Sequence, residues 1–390
     1  MNSSKTTLLF DRLCWLSSFV LFAGIGLSTG RAEAWTAAAE PWPEADALFR
    51  RDTRWRGSDA ANSIDLGNGR VLWTFGDTFV DVQREPAKRH RKGSTFVRNT
   101  VAIQNGYDPT SADFEPFWGS NADGKPVAFF HSETDVFHWP GGGLLVDRKL
   151  LVFLMNIRNA EGEQNFTIDG WCAVLIENPQ DTPAEWNMKY LSGPPDGPRM
   201  LVGSGSSVRV GSWIYTYGSK CDPPHKVFLA RFGVAEAISG DLSQPQWWNA
   251  SDATWVDHNQ LQGELPEPIV DPGAPEFTVH HESVLGAYLL TQIGGYPVGP
   301  ITLRSASTPT GPWSTAHAVY SPEELNRYDK GIMIYSAKAH PEQQAAGLAV
   351  TYCTNHRDSA TLMRDETLYY PRFIRLRITR EEDQEAEQAR

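Results

Sequence analysis

Two aspartates stand at nearly equal distances from one predicted turn. Asn68 and Gly69 form the two-residue turn that β-hairpins prefer, and apolar and β-branched residues flank it in the segment NSIDLGNGRVLWTFGDTF. Asp59 lies nine residues before Asn68, and Asp77 lies eight residues after Gly69. Because antiparallel strands bring equal offsets from a turn to one level, we predict that both carboxyl groups lie at the same end of this hairpin.

A pair of neighbouring carboxyl groups is the minimum equipment for cleaving a glycosidic bond. One group protonates the leaving oxygen, while the other activates a water molecule or attacks the sugar carbon. A separation of about 5 Å gives retention of configuration, whereas about 6.5 to 9.5 Å gives inversion. The alternative is structural, since Asp77 in Gly-Asp-Thr could cap a turn and Asp59 could belong to an ordinary loop.

Short strands joined by polar turns recur along the chain. These strands would have to position Asp59 and Asp77. We distinguish five such units between Trp55 and Ile378, about 65 residues apart, each long enough for a four-stranded sheet. This pattern predicts an all-β fold, a five-bladed β-propeller, in one domain over residues 35–378. A sandwich of two sheets is the alternative.

Composition supports the all-β class and excludes several functions. The chain has 33 Gly, 26 Pro, 14 Trp and 12 Tyr, which favour turns and pleated, half-buried surfaces. A net charge of −12 argues against nucleic acid or anionic membrane as a partner. The spacing of Cys172, Cys221 and Cys353 fits no zinc site, and these three residues could form one disulfide at most.

Both ends of the chain have the composition of segments outside the folded domain. Residues 1–34 carry Lys5 and Arg12 before an apolar run and end in Ala32-Glu33-Ala34, which predicts a cleaved signal peptide and a secreted or periplasmic protein. A retained membrane anchor is the alternative, although the run is shorter than the roughly 20 apolar residues that span a bilayer. Residues 379–390 form a predicted charged tail.

The segments that carry the two aspartates resemble a known family. GSDAANSIDL and GRVLWTFGDTFVD are similar to the opening of a bacterial five-bladed propeller family, long catalogued as a domain of unknown function, whose characterised members are endo-D-arabinanases. HWPGGGLLVDRKLLVF, YSAKAHPE and TYCTN add weaker agreement. The resemblance implies that Asp59 and Asp77 are the catalytic pair and that the sugar configuration is inverted. The residues after Asp59 and the middle units depart from the family pattern.

Further polar residues near predicted inner strands could bind a sugar. Trp139 could stack on a sugar ring and His138 could hydrogen-bond to its hydroxyls, or Trp139 could belong to the core. Arg98 and Asn99, at the end of the first unit, could serve in the same way.

The fourth and fifth units offer four more candidates. Strand alternation places His280 and Glu282 on one face and His281 on the other, so we predict Glu282 or His281 at the mouth of the channel, against a purely structural histidine. Lys338 and His340 could hold a sugar hydroxyl or lower the pKa of a nearby carboxyl.

Two functions remain open from the sequence. The first is a monomeric hydrolase of a polysaccharide or oligosaccharide, and the second is a non-catalytic propeller that binds a glycan or a protein at the same mouth. We expect no cofactor and no metal site formed by side chains, because the histidine spacing fits none. Backbone oxygens in a channel could still hold a structural calcium or sodium ion.

Overall fold

The computed structural model describes residues 35–82, 91–132, 134–161, 165–194, 200–327 and 331–381. The predicted signal peptide and residues 382–390 of the predicted tail lie outside the described residues. Within them the chain is all-β, as its composition and turn spacing predict.

Strands account for most of the described elements, and we number them in chain order. Those before residue 194 are β1 Trp35–Pro41, β2 Trp55–Ser58, β3 Asn62–Gly67, β4 Arg70–Phe75, β5 Thr78–Val80, β6 Thr95–Val97, β7 Thr100–Asn105, β8 Asp113–Phe117, β9 Gly119–Ser120, β10 Pro126–Val127, β11 Val136–Val146, β12 Lys149–Asn159, β13 Phe166–Ile176 and β14 Met188–Ser192. The later ones are β15 Leu201–Val210, β16 Trp213–Ser219, β17 Val227–Gly233, β18 Gln246–Asn249, β19 Thr254–Asp257, β20 Phe277–Glu282, β21 Ala287–Ile293, β22 Ile301–Ala306, β23 His317–Tyr320, β24 Ile332–Ala345, β25 Gly347–His356 and β26 Arg372–Arg380.

The helices are short. The α-helices are α1 Pro43–Asp46, α2 Val234–Ser239, α3 Glu324–Arg327 and α4 Ser359–Arg364, and the 3-10 helices are Ala47–Arg50, Pro183–Glu185 and His258–Gln260. Among the described residues, no helix has both the length and the apolar character needed to cross a bilayer.

The strands form five larger sheets and two smaller ones. The larger sheets, numbered one to five, have the strand orders β3-β4-β7-β8, β11-β12-β13-β14, β15-β16-β17-β18-β19, β20-β21-β22-β23 and β24-β25-β26-β1. The smaller sheets are β2-β5-β6 and β9-β10. Tight turns join β3 to β4, β11 to β12 and β15 to β16, because Asn68, Gly69, Asp147 and Gly211 adopt the left-handed backbone conformation that these turns require.

One strand from each larger sheet borders a common interior. The strands β3, β11, β15, β20 and β24 contact one another in cyclic order, and β24 returns to β3. Residues of all five strands line one cavity of about 470 Å³. The backbones of β11 and β15 approach closely there, since a Cβ on Gly142 would lie 2.5 Å from the carbonyl oxygen of Gly205. We call these five the inner strands.

An aromatic core supports the small sheet β2-β5-β6 from behind. Phe49, Trp55, Trp73, Phe75 and Phe373 are almost completely buried in one cluster. Phe49 stacks on Phe373 with ring centroids 5.3 Å apart, and Trp55 lies 4.8 Å from Phe75. Burying such side chains contributes about 1.5 to 3 kcal/mol each. Asp59 therefore directly follows a strand, β2, that this aromatic core holds in place.

The N-terminal strand of the domain completes the fifth sheet. β1 pairs antiparallel with β26 from Trp35 opposite Arg380 to Pro41 opposite Ile374. β26 continues two residues beyond Ile378, because β1 supplies partners for Thr379 and Arg380. A pairing between opposite ends of the chain leaves no local signal in the sequence.

We predict that removing β1 destabilises the domain. A chain that begins at Trp42 leaves the edge of β26 without its partner and exposes the apolar surface that Trp35 and Ala37 cover. Thermal unfolding should show a midpoint several degrees lower than that of a control chain beginning at Trp35. Equal midpoints for the two chains would contradict the pairing.

Candidate active site

Asp59 and Asp77 lie level with each other between the end of the β2–β5 ladder and the start of the β3–β4 ladder. Ser58 of β2 pairs with Thr78 of β5, so the next residues of this ribbon, Asp59 and Asp77, are level with each other. The β3–β4 ladder begins beyond them, at Asn62. The sequence placed both aspartates within that hairpin. The structure places them just outside it, where neither residue is part of a strand.

Gly76 leaves the space that the Asp59 carboxyl occupies. The Gly76 backbone is not in the left-handed region, and its amide donates a hydrogen bond to the Asp59 carbonyl oxygen at 3.2 Å. A Cβ on Gly76 would lie 2.4 Å from Asp59 Oδ1. Glycine is therefore required at this position by close approach rather than by backbone conformation.

Tyrosine hydroxyls surround one oxygen of Asp59. Tyr335 donates a hydrogen bond to Asp59 Oδ2 at 2.7 Å, and Tyr369 donates one to the same oxygen at 3.3 Å. The Tyr335 hydroxyl in turn accepts a hydrogen bond from Asn355 Nδ2 at 3.1 Å. With Oδ2 engaged by these donors, Oδ1 is the oxygen free to carry a proton.

A cation and an indole hold Asp77. Arg98 donates a hydrogen bond from its guanidinium to Asp77 Oδ2 at 3.3 Å, and Trp139 Nε1 donates one to Oδ1 at 3.0 Å. Arg98 also lies 4.1 Å from the ring centroid of Phe137 and donates to Asn159. Both oxygens of Asp77 thus have a donor that favours the ionised carboxylate.

These environments raise both pKa values but separate them. Burial, and next the charge of Asp77, raise the pKa of Asp59 to about 8, against an opposing effect of the Tyr335 hydrogen bond. Burial raises the pKa of Asp77 only to about 6, because Arg98 and Trp139 stabilise its charge. At neutral pH, Asp59 is therefore mostly protonated and Asp77 mostly ionised.

A third carboxyl group, Glu276, is near enough to Asp59 for its charge to raise the Asp59 pKa. Lys338 Nζ lies 3.0 Å from Glu276 Oε1 and donates a hydrogen bond to Asn62 Oδ1 at 2.7 Å. The Ser336 hydroxyl is 3.0 Å from the same Glu276 oxygen. The Lys338 side chain is only 1% exposed and the Glu276 side chain 18%, so the ammonium is buried and the carboxylate is partly accessible.

The backbone around Asp59 is strained. Four residues other than glycine adopt positive φ there: Ala60 at 69°, Ala61 at 45°, Ser336 at 54° and Tyr369 at 61°. Each such residue costs on the order of 1 to 3 kcal/mol and persists only when its surroundings hold it. Here Ser336 Oγ lies 2.9 Å from the Ala60 carbonyl oxygen. This concentration of strain beside two buried acids is typical of a functional site.

Of the predicted sugar-binding residues, Arg98, Trp139 and Lys338 lie at the carboxyl groups. Asn99 is buried and hydrogen-bonds to the backbone of Phe130 and to the His138 carbonyl oxygen, so it anchors the strand that carries Trp139. His138 is also buried, packs against Tyr190, and has a lowered pKa because of burial.

The structure does not bring the other three predicted residues to the carboxyl groups. Glu276 directly precedes β20, whereas His281 and Glu282 end this strand, about 20 Å further along at the usual rise per residue. His281 instead packs on Tyr288 and is exposed. His340 is completely buried, and its two ring nitrogens share hydrogen bonds with the hydroxyls of Ser63 and Thr351.

Sequence reasoning missed Glu276, Tyr335 and Tyr369. Glu276 had a usable signal, an acid directly before the inner strand in PEFTV, at the same end of its strand as the aspartates. Tyr335 and Tyr369 carried no comparable signal, because they reach Asp59 across more than 270 residues of chain.

Neither a metal centre nor a disulfide is found in the part of the chain that the structure describes. It contains no group of three or more His, Cys, Asp and Glu side chains that could hold a metal ion. Cys172, Cys221 and Cys353 are free thiols.

Comparison with known families and structures identifies relatives. The profile of a family described as "Domain of unknown function (DUF5005)" matches residues 44–379. No curated protein matches the sequence significantly. A Bacteroides ovatus protein that is provisionally described as a hydrolase has the same fold, with 17% identity, a TM-score of 0.68 and coverage of 90% of this chain and 93% of its own.

Weaker structural similarity extends to named glycoside hydrolases. An α-L-arabinofuranosidase from Lactobacillus brevis matches with 12% identity, a TM-score of 0.47 and coverage of 84% of this chain and 92% of that one. The GH43_1 enzyme from Xanthomonas citri, solved with xylose, matches with 13% identity, a TM-score of 0.44 and coverage of 86% and 93%.

We predict that Gly76→Ala destabilises the protein through the Asp59 carboxyl. The added methyl group overlaps Asp59 Oδ1, and overpacking of this kind costs about 1 to 3 kcal/mol. The free energies of unfolding in urea of Gly76→Ala, Asp59→Ala and the double variant give the coupling energy between the two positions. In the Asp59→Ala background, Gly76→Ala should cost at least about 1 kcal/mol less. The same cost in both backgrounds would mean that the clash lies elsewhere.

Proposed function

We propose that this chain, which belongs to the DUF5005 family, is a five-bladed β-propeller that hydrolyses a glycosidic bond in a polysaccharide. The observation that carries the proposal is the pair Asp59 and Asp77. Both are largely buried and level with each other, with pKa values of about 8 and about 6. Pairs of titratable groups whose environments separate their pKa values are typical of acid and base assignments in hydrolases.

Support for five blades comes from the inner strands. Five sheets of four or five strands each contribute one strand to a cyclic set of contacts around one cavity. The fifth sheet combines β1 with strands from the end of the chain, which is how a propeller closes its ring. Two stacked sheets would not give each of the five sheets a strand facing a common interior.

The pKa order assigns the roles of the two carboxyl groups. Asp59, which is protonated at neutral pH, donates its proton to the leaving glycosidic oxygen as the general acid. Asp77, which is ionised, removes a proton from the attacking water as the general base. The reverse assignment would require an ionised Asp59 together with a protonated Asp77, a combination that is rare at any pH between the two pKa values.

The substrate and the stereochemistry are proposed from the sequence resemblance. We infer a furanose-containing polysaccharide such as an arabinan, cleaved with inversion, with Arg98, Trp139 and Glu276 within reach of the sugar. The partly exposed Trp139 ring provides an apolar surface beside the base. The reaction needs no cofactor because both proton transfers use side chains. We also propose that the protein is exported as a monomer to the periplasm or the medium.

We predict that Asp59→Asn and Asp77→Asn each lower glycan hydrolysis by about 10² to 10⁴-fold, because each removes one proton transfer. A panel of arabinans and other polysaccharides should be assayed for new reducing ends, and proton NMR of the first product should show the inverted anomer. Asp123→Asn, in an exposed turn, serves as the matched control. If the unchanged protein cleaves nothing but binds glycans, the function is binding alone; if the variants keep full activity, the pair is not catalytic.

The pH profile of hydrolysis should be bell-shaped, with apparent pKa values of about 6 and about 8. Activity rises as Asp77 ionises and falls as Asp59 loses its proton. Arg98→Met removes the cation that lowers the pKa of Asp77, so the acidic limb should move to higher pH. The alkaline limb should not move, because it reports the pKa of Asp59, which is raised mainly by burial and by the charge of Asp77. An unchanged acidic limb would show that Asp77 does not control it.

A further inference from the structure

A second cavity lies beside the candidate active site, between the second and third sheets. It has a volume of about 610 Å³. The start of β13 contributes Phe166 and Thr167, the start of β15 contributes Leu201, and the turn after β16 contributes Lys220 and Cys221. This volume lies within the range of about 300 to 1,000 Å³ that small-molecule sites usually have.

One side chain separates this cavity from the proposed general base. The Phe166 ring packs edge-on against Trp139 with centroids 4.8 Å apart, and Trp139 Nε1 donates to Asp77. Leu201 and Cys221 belong to the same apolar cluster as Trp139. The cavity therefore adjoins the side chains that surround Asp77.

The lining suits a neutral carbohydrate. Phe166 and Leu201 provide apolar surface for the C–H face of a sugar ring. Lys220, Asp222 and Glu264 provide both donors and acceptors for hydroxyl groups. Charges of both signs are present, and Lys220 lies 3.8 Å from Asp222, so no strong net charge selects an ionic ligand.

We propose that this cavity is a distal subsite that binds sugar residues of a polysaccharide beyond those next to the bond that is cleaved. The inference rests on the proposed hydrolase function and extends it. A substrate long enough to fill the cavity gains binding energy that a disaccharide lacks, so the protein acts on chains in preference to short fragments.

The test compares long and short substrates in a variant whose cavity is filled. Thr167 is exposed, lies on β13 and lines the cavity, so Thr167→Trp places a large ring inside it. With the polysaccharide that the panel identifies and its own oligosaccharides of two to six units, the ratio of kcat/KM for the hexamer to that for the dimer should fall at least tenfold. Thr254→Trp, the same change at the exposed first residue of β19, should leave this ratio unaltered.

Cys221 provides a measurement that does not depend on turnover. In the Asp77→Asn variant, the hexamer should slow alkylation of the Cys221 thiol by iodoacetamide, as followed by peptide mass spectrometry, and the dimer should not. If the unchanged protein cleaves a glycan but shows neither a length-dependent ratio nor protection, the subsite is wrong and the hydrolase stands. If no glycan of the panel is cleaved and a hexamer prepared from arabinan, the proposed substrate, gives no protection, both proposals fail.

Discussion

Two neighbouring carboxyl groups are held away from water at this site, and they cannot both ionise freely. Burial and mutual repulsion each favour the neutral form, so the surrounding donors decide which group keeps its charge. Asp77 receives a guanidinium and an indole, whereas Asp59 receives only tyrosine hydroxyls. The positive charge of the guanidinium favours the ionised carboxylate in addition to the hydrogen bond that it donates. The proton therefore stays on Asp59.

Holding this pair in place requires a scaffold that cannot relax. Consecutive residues in the left-handed conformation, Ala60 and Ala61, turn the chain out of the β2–β5 ribbon and into β3. Their strain costs a few kcal/mol. The burial of Trp55 and Phe75 directly behind the ribbon offsets it with a contribution of similar size. If this turn relaxed, the Asp59 carboxyl would move relative to Gly76. There is little free space between the two residues for such a movement.

Much of this arrangement was predictable because its signals are local. Turn residues fix hairpin register, and so the level positions of Asp59 and Asp77 followed from counting residues to Asn68 and Gly69. The long-range contacts carried no such signal. Tyr369 reaches Asp59, and β1 reaches β26, only after the sheets have closed around the interior. Glu276 did carry a local signal, because it directly precedes β20, whereas the predicted Glu282 lies at the other end of that strand.

Charge balance explains why the site can contain a third carboxylate. Asp77 faces Arg98, and Glu276 faces Lys338, so these four charges sum to zero. Asp59 has no cation of its own within hydrogen-bonding distance among the described residues, and its ionisation would add an uncompensated charge in a buried position. The Lys338 ammonium therefore does more than hold Glu276 in place. Its positive charge lowers the pKa of Asp59 and so opposes the rise that the charge of Glu276 causes.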